Sequence, residues 1–391
     1  MILELHLLQN FAPSNLNRSD TGSPKDCVFG GFRRARISSQ CFKRAIREHF
    51  RNNFSTQENI AERSTRLVEA ISNHLTIGGK GEEESKRIVE TALSGVGLKM
   101  SSKDAAKTQY LLFLGREEIK AVADVCLQNY EALLAVSPKV EEGMSAKEAK
   151  KAAKGAVPAE ISKALQKVLD GGKASDLALF GRMLADLPYK NRDASSQVAH
   201  AISTHKVGME FDFFTAVDDL KPEETSGSDH LGTVEFNSAC FYRYANVNIE
   251  KLVENLQGDG DLTKATVEAF IRAAIEAIPT GKQNSFATHE RPNFLLAVVR
   301  DSGFRSLANA FETPAKEKEW NAETKEMREG LVRNSIEKFT KHWDAVSGVY
   351  GDGSKAKNLV KTTEADLGSL KDSDAGNVET LITNTMSAIF A

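Results

Sequence analysis

Residues 2–8 alternate, with Leu3, Leu5 and Leu7 on one side and Glu4 and His6 on the other. A period of two is the mark of a strand. A polar loop through Pro13, Asn17, Gly22 and Pro24 follows, then an extended segment, Val28–Ile37, around the Gly30-Gly31 turn. The period then changes. Phe42, Ala45, Ile46, His49 and Phe50 recur at helical spacing behind Ser38-Ser39, a serine pair suited to capping a helix. From about Thr56 to Asp193 helical patterns dominate. Ile60–Leu75, Glu84–Leu93, Ala105–Leu114, Glu117–Val136 and Ala146–Leu169 are predicted helices, the last with Lys147, Lys150, Lys151 and Lys154 on a solvated face.

Alternation returns at Val198–Ser203. Met209–Val217 and Leu231–Phe236 read as the arms of a long hairpin, with the tip DDLKPEETSGSDH between them carrying Pro222 and Gly227. Ser238–Asn248 is a further predicted strand and Thr263–Ile278 a helix. A polar GKQN loop precedes an apolar run, Asn293–Val299, fit for a central strand. Val332, Ile336, Phe339, Trp343 and Val346 form one face of a late helix. The tail after Tyr350 reads as irregular, then weakly helical near Leu381–Ile389. Without the helical insertion and the hairpin, the order is βαββαβ, the ferredoxin-like or RRM-like succession. The expected fold is therefore α+β. Segments 1–55, 196–206 and 238–391 form the RRM-like core, 56–195 the helical insertion and 207–237 the hairpin. The RNA-binding consensus of RRM domains is absent, since FGGFRRAR is a loose echo of it.

Composition narrows the chemistry. The chain has 391 residues, 41% of them hydrophobic. No apolar run approaches the roughly 20 residues that span a bilayer. The start, MILELHLLQN, lacks the basic region of a signal peptide, so a cytoplasmic protein without a membrane partner is expected. Four scattered cysteines without a CxxC pair, and eight histidines without HExxH, predict neither a disulfide framework nor a metal or other cofactor. Net charge is −3, which by itself disfavours a nucleic-acid binder. Its distribution does the opposite. Asn15–Arg51 holds nine basic and three acidic side chains, a local net of +6. The bases include Lys25, the Arg33/Arg34/Arg36 patch and Lys43, Arg44 and Arg47 of the capped helix. Backbone donors, hydroxyls and cations at a helix start suit an anion, although an amphipathic helix with a solvated basic face would carry the same pattern. In the hairpin, adjacent Phe213 and Phe214 cannot share a face. One of them would be free to stack on a base.

The stretches PSNLNRSDTGSPKDCVFGGFRRARISSQCFKRAIR, HAISTHKV with DFFTAVDDL, HLGTVEFNSACFYRYANVN and SLANAFETPAKEK together resemble the CasC family, the backbone subunits of type I-E CRISPR surveillance complexes (Cascade). The resemblance spans most of the chain and is weakest in the helical insertion. It implies a hand: an RRM-like palm, helical fingers and a hairpin thumb. It also implies a non-catalytic role. Several copies would form a helical filament along the spacer of a CRISPR RNA, kink that RNA at every sixth nucleotide and present it to target DNA. The implied partners are the CRISPR RNA, target DNA, further copies of the chain, and the large, small, 5′-end-binding and RNA-processing subunits of the complex.

By the same resemblance, Arg18, Ser38, Ser39, Gln40, Lys43, Arg44 and Arg47 would hold the guide backbone, with Arg34 in the adjoining basic patch. Met183 would lie against bases near the kink, and Phe214 and Thr215 at the displaced base. Phe213 stands where a Trp often occurs. Lys25, Lys316 and Lys318 would line the path of the target strand. Lys282 and Gln283 of the GKQN loop are added here as candidate RNA contacts. Two other readings remain open at this stage. Asp26 occupies a loop comparable to that of type III backbone subunits, which cut RNA with an aspartate and a divalent metal. The basic patch and the βαββαβ order would also suit a generic RNA-binding module.

Overall fold

A computed structural model describes residues 1–391 except 55–56, 102–103, 105–106, 138–156, 217–229 and 322–324. The tip of the expected hairpin, with Pro222 and Gly227, lies outside the described residues. So do Lys147, Lys150, Lys151 and Lys154. The chain divides into two compact units. One comprises 1–52, 196–249 and 267–391, the other 53–195 and 250–266.

The first unit is built on one sheet. Its strands are β1 (Ile2–Ser14), β2 (Asp26–Phe29), β3 (Phe32–Ile37), β4 (Ser196–Val198), β5 (Ala201–Ser203), β6 (Glu210–Ala216), β7 (His230–Asn248), β8 (Phe294–Arg300) and β9 (Ser354–Lys361). The order is β9-β8-β1-β7-β5-β3-β2, with β4 and β6 also paired to β7. Every described pair is antiparallel. The helices are α1 (Ser39–Asn53), α2 (Gly260–Glu276, shared with the second unit), α3 (Leu331–Tyr350) and α4 (Val378–Phe390). The fold is thus α+β. The predicted βαββαβ succession appears as β1, α1, β5, β7, α2 and β8.

Strand β1 explains why both faces of the sheet are covered. Its polar residues do not face water: Glu4 and His6 on one face and Gln9 on the leucine face are as buried as Leu3, Leu5 and Leu7. On one face Leu7 meets Phe42 and Ile46 of α1 and Ala274 of α2. On the other the His6 ring lies 5.6 Å from Phe339 and 6.4 Å from Trp343 of α3. Burial without a partner is costly for polar groups, and partners are present. Glu4 Oε2 accepts from Arg300 Nε at 2.5 Å, Glu4 Oε1 from Tyr244 Oη at 2.6 Å, and His6 Nδ1 lies 2.9 Å from Tyr242 Oη. Burial drives the His6 pKa down to about 4, so this imidazole is neutral inside the layer.

Several predicted boundaries change. β1 runs to Ser14 rather than ending near residue 8. Leu231–Phe236 and Ser238–Asn248 are one continuous strand of 19 residues. The tail after Tyr350 holds a strand, β9, at the sheet edge beside β8. Its Asn358 and Leu359 are buried by α4 and a short turn, partners a local reading does not contain.

The second unit packs helices Leu67–Ile77, Glu82–Gly95, Arg116–Gln128, Tyr130–Val136 and Ala159–Val168 around Val68, Ile71, Val89, Val122 and Leu133. The expected Ile60–Leu75 helix starts only at Leu67. Ala61–Ser64 forms a strand instead, paired with Leu112–Gly115, within the stretch Ala105–Leu114 predicted as helix. Short apolar runs such as Leu112-Phe113-Leu114 carry no period that separates strand from buried helix. Glu117–Val136 is broken at Asn129. A buried ion pair supports this unit. Arg182 Nη1 lies 2.7 and 2.9 Å from the two carboxylate oxygens of Glu118, which also accept from Gly115 N and Gly171 N.

Candidate nucleic-acid interface

The basic stretch at Asn15–Arg51 folds as a loop, a hairpin and a helix. β2 and β3 pair from Asp26 with Ala35 to Phe29 with Phe32, and Gly30-Gly31 make the turn at φ of 60° and 80°. Two successive left-handed residues match the twist of a hairpin and favour glycine. Gly30 is further confined, because a Cβ there would stand 1.9 Å from the carbonyl oxygen of Glu312.

The three arginines of β3 have three different roles. Arg34 is fully buried and donates to the carbonyls of Ser203 (3.0 Å), Phe311 (2.6 Å) and Glu312 (3.0 Å). Three of its Nη–H donors thus go to backbone, and it pins the hairpin to the body. Arg33 is exposed and pairs with the Asp26 carboxylate. Arg36 is half-buried. Its Nε donates to Asp26 O at 3.1 Å, and its Nη1 lies 3.2 Å from His200 Nδ1. The backbone of Lys25 is tied to Asn17 and to Arg36, which puts that lysine beside this arginine.

Helix α1 begins as the serines suggested. Ser38 Oγ accepts from Cys41 N at 3.3 Å, and Asn17 Oδ1 accepts from Ser38 N at 2.8 Å. Ser38 is buried by this, so its hydroxyl serves the helix. Ser39 is half-buried and Gln40 exposed. Lys43 and Arg47 are half-buried, and Arg44 is exposed. His49 Nε2 meets Glu276 Oε2 at 3.0 Å and fastens α1 to α2. An open cleft of about 730 Å³ lies against α1. Arg18, Asp20, Arg44, Glu48 and Gly281 are among its walls. Arg18 and Arg44 thus line one cleft, together with the acidic Asp20 and Glu48. The Cys41 thiol is pushed up by burial, against the opposing pull of the Lys25 and Arg44 charges.

The GKQN loop is split in the same way as the arginines. Gly281 packs on the carbonyl of Leu16, and Lys282 follows in a left-handed conformation, half-buried. Gln283 turns inward, with Nε2 donating to Pro279 O (3.0 Å) and Thr288 O (2.9 Å).

In the β6–β7 arm, Phe213 is 64% exposed and Phe214 39%. The difference comes from the partner strand. Phe214 lies opposite Gly232, and a Cβ on that glycine would fall 2.3 Å from the ring. Phe211, two residues before Phe213, shares its face and is also exposed. Thr215 is exposed at the far end. Lys316 and Lys318 are exposed, and Lys318 Nζ pairs with Glu329 Oε1 at 2.7 Å across a small hairpin, Lys318–Asn321 with Glu326–Glu329. In the second unit Met183 is 80% exposed, following the buried Arg182. Tyr189 is exposed nearby in sequence, with Lys190 Nζ 6.0 Å from its ring.

Sequence reasoning passed over Arg36 as a distinct contact, and over His200, Phe211 and Tyr189. For Phe211 the signal was available as the i, i+2 partner of Phe213. For His200 it was not, because its neighbour Arg36 is 164 positions away. Among the described residues, no group of three or more His, Cys, Asp or Glu side chains could hold a metal ion. Among the same residues, no helix is long and apolar enough to cross a membrane.

Comparison with known proteins places this geometry. A chain of a solved structure described as "CRISPR RNA-guided surveillance complex, pre-nicking" is 29% identical, with full coverage of both chains and a TM-score of 0.83. A chain of a second, described as "CRISPR RNA-guided surveillance complex", is 25% identical over 99% of this chain and 100% of that one, with a TM-score of 0.73. No curated protein matches. The model of the CT1975-like protein family matches residues 3–387. The chain belongs to the CT1975-like protein family.

Proposed function

We propose that this chain is a non-catalytic subunit of a CRISPR RNA-guided surveillance complex, a backbone subunit of the type I-E Cascade kind that holds the guide RNA by its phosphates. In this reading the first unit supplies the palm and the β6–β7 arm the thumb. The helices of the second unit are the fingers. Copies line up along the spacer, and each thumb displaces one base in six. The large, small, 5′-end-binding and RNA-processing subunits complete the particle, and target DNA pairs with the exposed guide. A guide must be held whatever its sequence, and contacts to phosphate do that while base pairing reads the target.

The observation that carries the proposal is the contrast between the sheet and its rim. An RRM binds RNA on the open face of its sheet, through aromatic side chains. Here Tyr242 and Tyr244, on the face that α3 covers, are buried against Phe311, Phe339 and His6. Exposed cations lie instead at Arg18 and Arg44 in the cleft and at Arg33 on the β2–β3 hairpin. This disfavours a generic RRM-like module. An RNase centred on Asp26 is disfavoured by Arg33, which holds the carboxylate such a reaction would need.

The test is guide binding by the full chain. Arg44→Glu and Lys43→Glu are expected to weaken binding of unrelated guide sequences alike. Each should flatten the dependence of log affinity on log salt by about one phosphate's worth, roughly 0.7 for a single strand. Unchanged affinity and slope in both variants would remove the cradle. Magnesium-dependent cleavage of complementary RNA by the assembled complex, lost in Asp26→Ala, would favour the nuclease.

A further inference from the structure

Three residues from three segments come together beside the β2–β3 hairpin. Lys25 comes from the loop before β2, Arg36 from β3, and His200 from the link between β4 and β5. Arg36 Nη1 stands 3.2 Å from His200 Nδ1. Lys25 and Arg36 are joined through their backbones, Arg36 N donating to Lys25 O at 2.9 Å. The nearest carboxylate in sequence, Asp26, offers Arg36 only its backbone oxygen, while its side chain pairs with Arg33. Among the described residues, neither Lys25 nor Arg36 has a carboxylate partner. Two permanent cations without a counter-charge, on an accessible surface and with an imidazole against them, form a place for an anion.

We propose that Lys25, Arg36 and His200 form a phosphodiester-binding subsite whose imidazole takes up a proton when the phosphate binds. The proposal rests on the nucleic-acid reading above and adds a subsite to it. The chemistry follows from the tautomer. Without an anion, His200 Nδ1 accepts from Arg36, so the ring is neutral and its hydrogen is on Nε2. Burial, then the like charges of Arg36 and Lys25, hold its pKa below the ordinary histidine value, and no acid is among the groups that act on it. Cys27, the other titratable group beside Arg36, is a thiol pushed up by burial. A bound phosphate reverses the balance. Its negative charge stabilises the imidazolium, and protonation at Nδ1 frees Arg36 Nη1 to turn to the phosphate. Binding therefore strengthens as pH falls through the histidine range.

A phosphodiester here could belong to the guide or to the target strand, and the experiment has one arm for each. The first measures a labelled guide RNA on the guide-free chain. The second measures a complementary DNA strand on the chain assembled with its guide. Both are run at about pH 6 and about pH 8 at fixed ionic strength, where one linked proton allows at most a tenfold change in affinity per pH unit. The wild type is expected to bind several-fold more tightly at the lower pH in one arm, and that arm identifies the strand. His200→Gln, which keeps a neutral polar side chain, should be flat in that arm, and Lys25→Gln should be weaker at both pH values. A pH dependence that persists in His200→Gln overturns the proposal, as does binding of both strands with no pH dependence in either arm. A wild-type chain that binds no RNA at either pH overturns the parent reading, and the subsite with it.

Discussion

Arg33, Arg34 and Arg36 look alike on paper and differ in every physical respect. Arg34 has its charge inside the protein, which is tolerable because three carbonyls share it. Truncation would leave those acceptors without partners in a dry site. A hydrogen bond to a charged group contributes about 1.5–3 kcal/mol. Arg34→Ala is accordingly expected to lower stability by roughly 3 kcal/mol in urea denaturation, given incomplete additivity. The same variant should change guide affinity little while folded, whereas Arg44→Glu should do the reverse. A large loss of affinity at unchanged stability would return Arg34 to the binding surface. The sequence announces a basic patch here, but not which arginine is buried. That depends on Phe311, 277 positions away, and on the glycine turn that presses the hairpin against Glu312. Gln283 escaped for a similar reason, since an amide in a polar loop looks the same whether it faces water or two carbonyls.

At the scale of elements, the β6–β7 arm shows how a glycine sets the exposure of an aromatic ring. Gly232 leaves the space that the Phe214 ring fills. A valine there would overlap the ring, and overpacking of this kind costs typically 1–3 kcal/mol. Gly232→Val is expected to destabilise the protein by about that amount when Phe214 is present. With Phe214→Ala as background it should be neutral or stabilising, since valine suits a strand better than glycine. A double-mutant cycle by chemical denaturation measures the difference. A coupling near zero would mean that ring and glycine do not touch. Pattern reading located the elements with strong periods, such as α1, α3 and the apolar strand β8. It missed β9 because SKAKNLVK alternates poorly, and its burial comes from β8 and α4. The alternation of β1 does not tell that its polar side is buried, because Glu4 and His6 give no hint of Arg300 and the tyrosines that receive them.

For the whole molecule, the proposed function predicts assembly governed by RNA length. Coexpressed with CRISPR RNAs of increasing spacer length, the chain should be recovered in particles whose mass rises stepwise, about one copy for every six added nucleotides. In that proposed function each copy alone would grip few phosphates, and avidity along the strand would supply the affinity. A constant 1:1 complex by native mass spectrometry would contradict this. The βαββαβ succession was legible at this scale because it needs only the order of periods. The pairing that closes it was not. Leu3 sits opposite Val247 on one side and Val299 on the other. That register has a consequence for how the protein is made. Sequence-distant pairings form late, because long loops must close first. On the ribosome, β1 emerges before either of its partner strands, and the first of them, β7, is complete only when nearly two-thirds of these 391 residues have been synthesised. During that wait Leu3, Leu5, Leu7 and Leu8 belong to an unpaired apolar strand, the kind of segment that associates with other chains. The strand that ends between β8 and β7 in the finished sheet is thus unpaired for much of synthesis, and the yield of folded protein depends on how well the cell shields it.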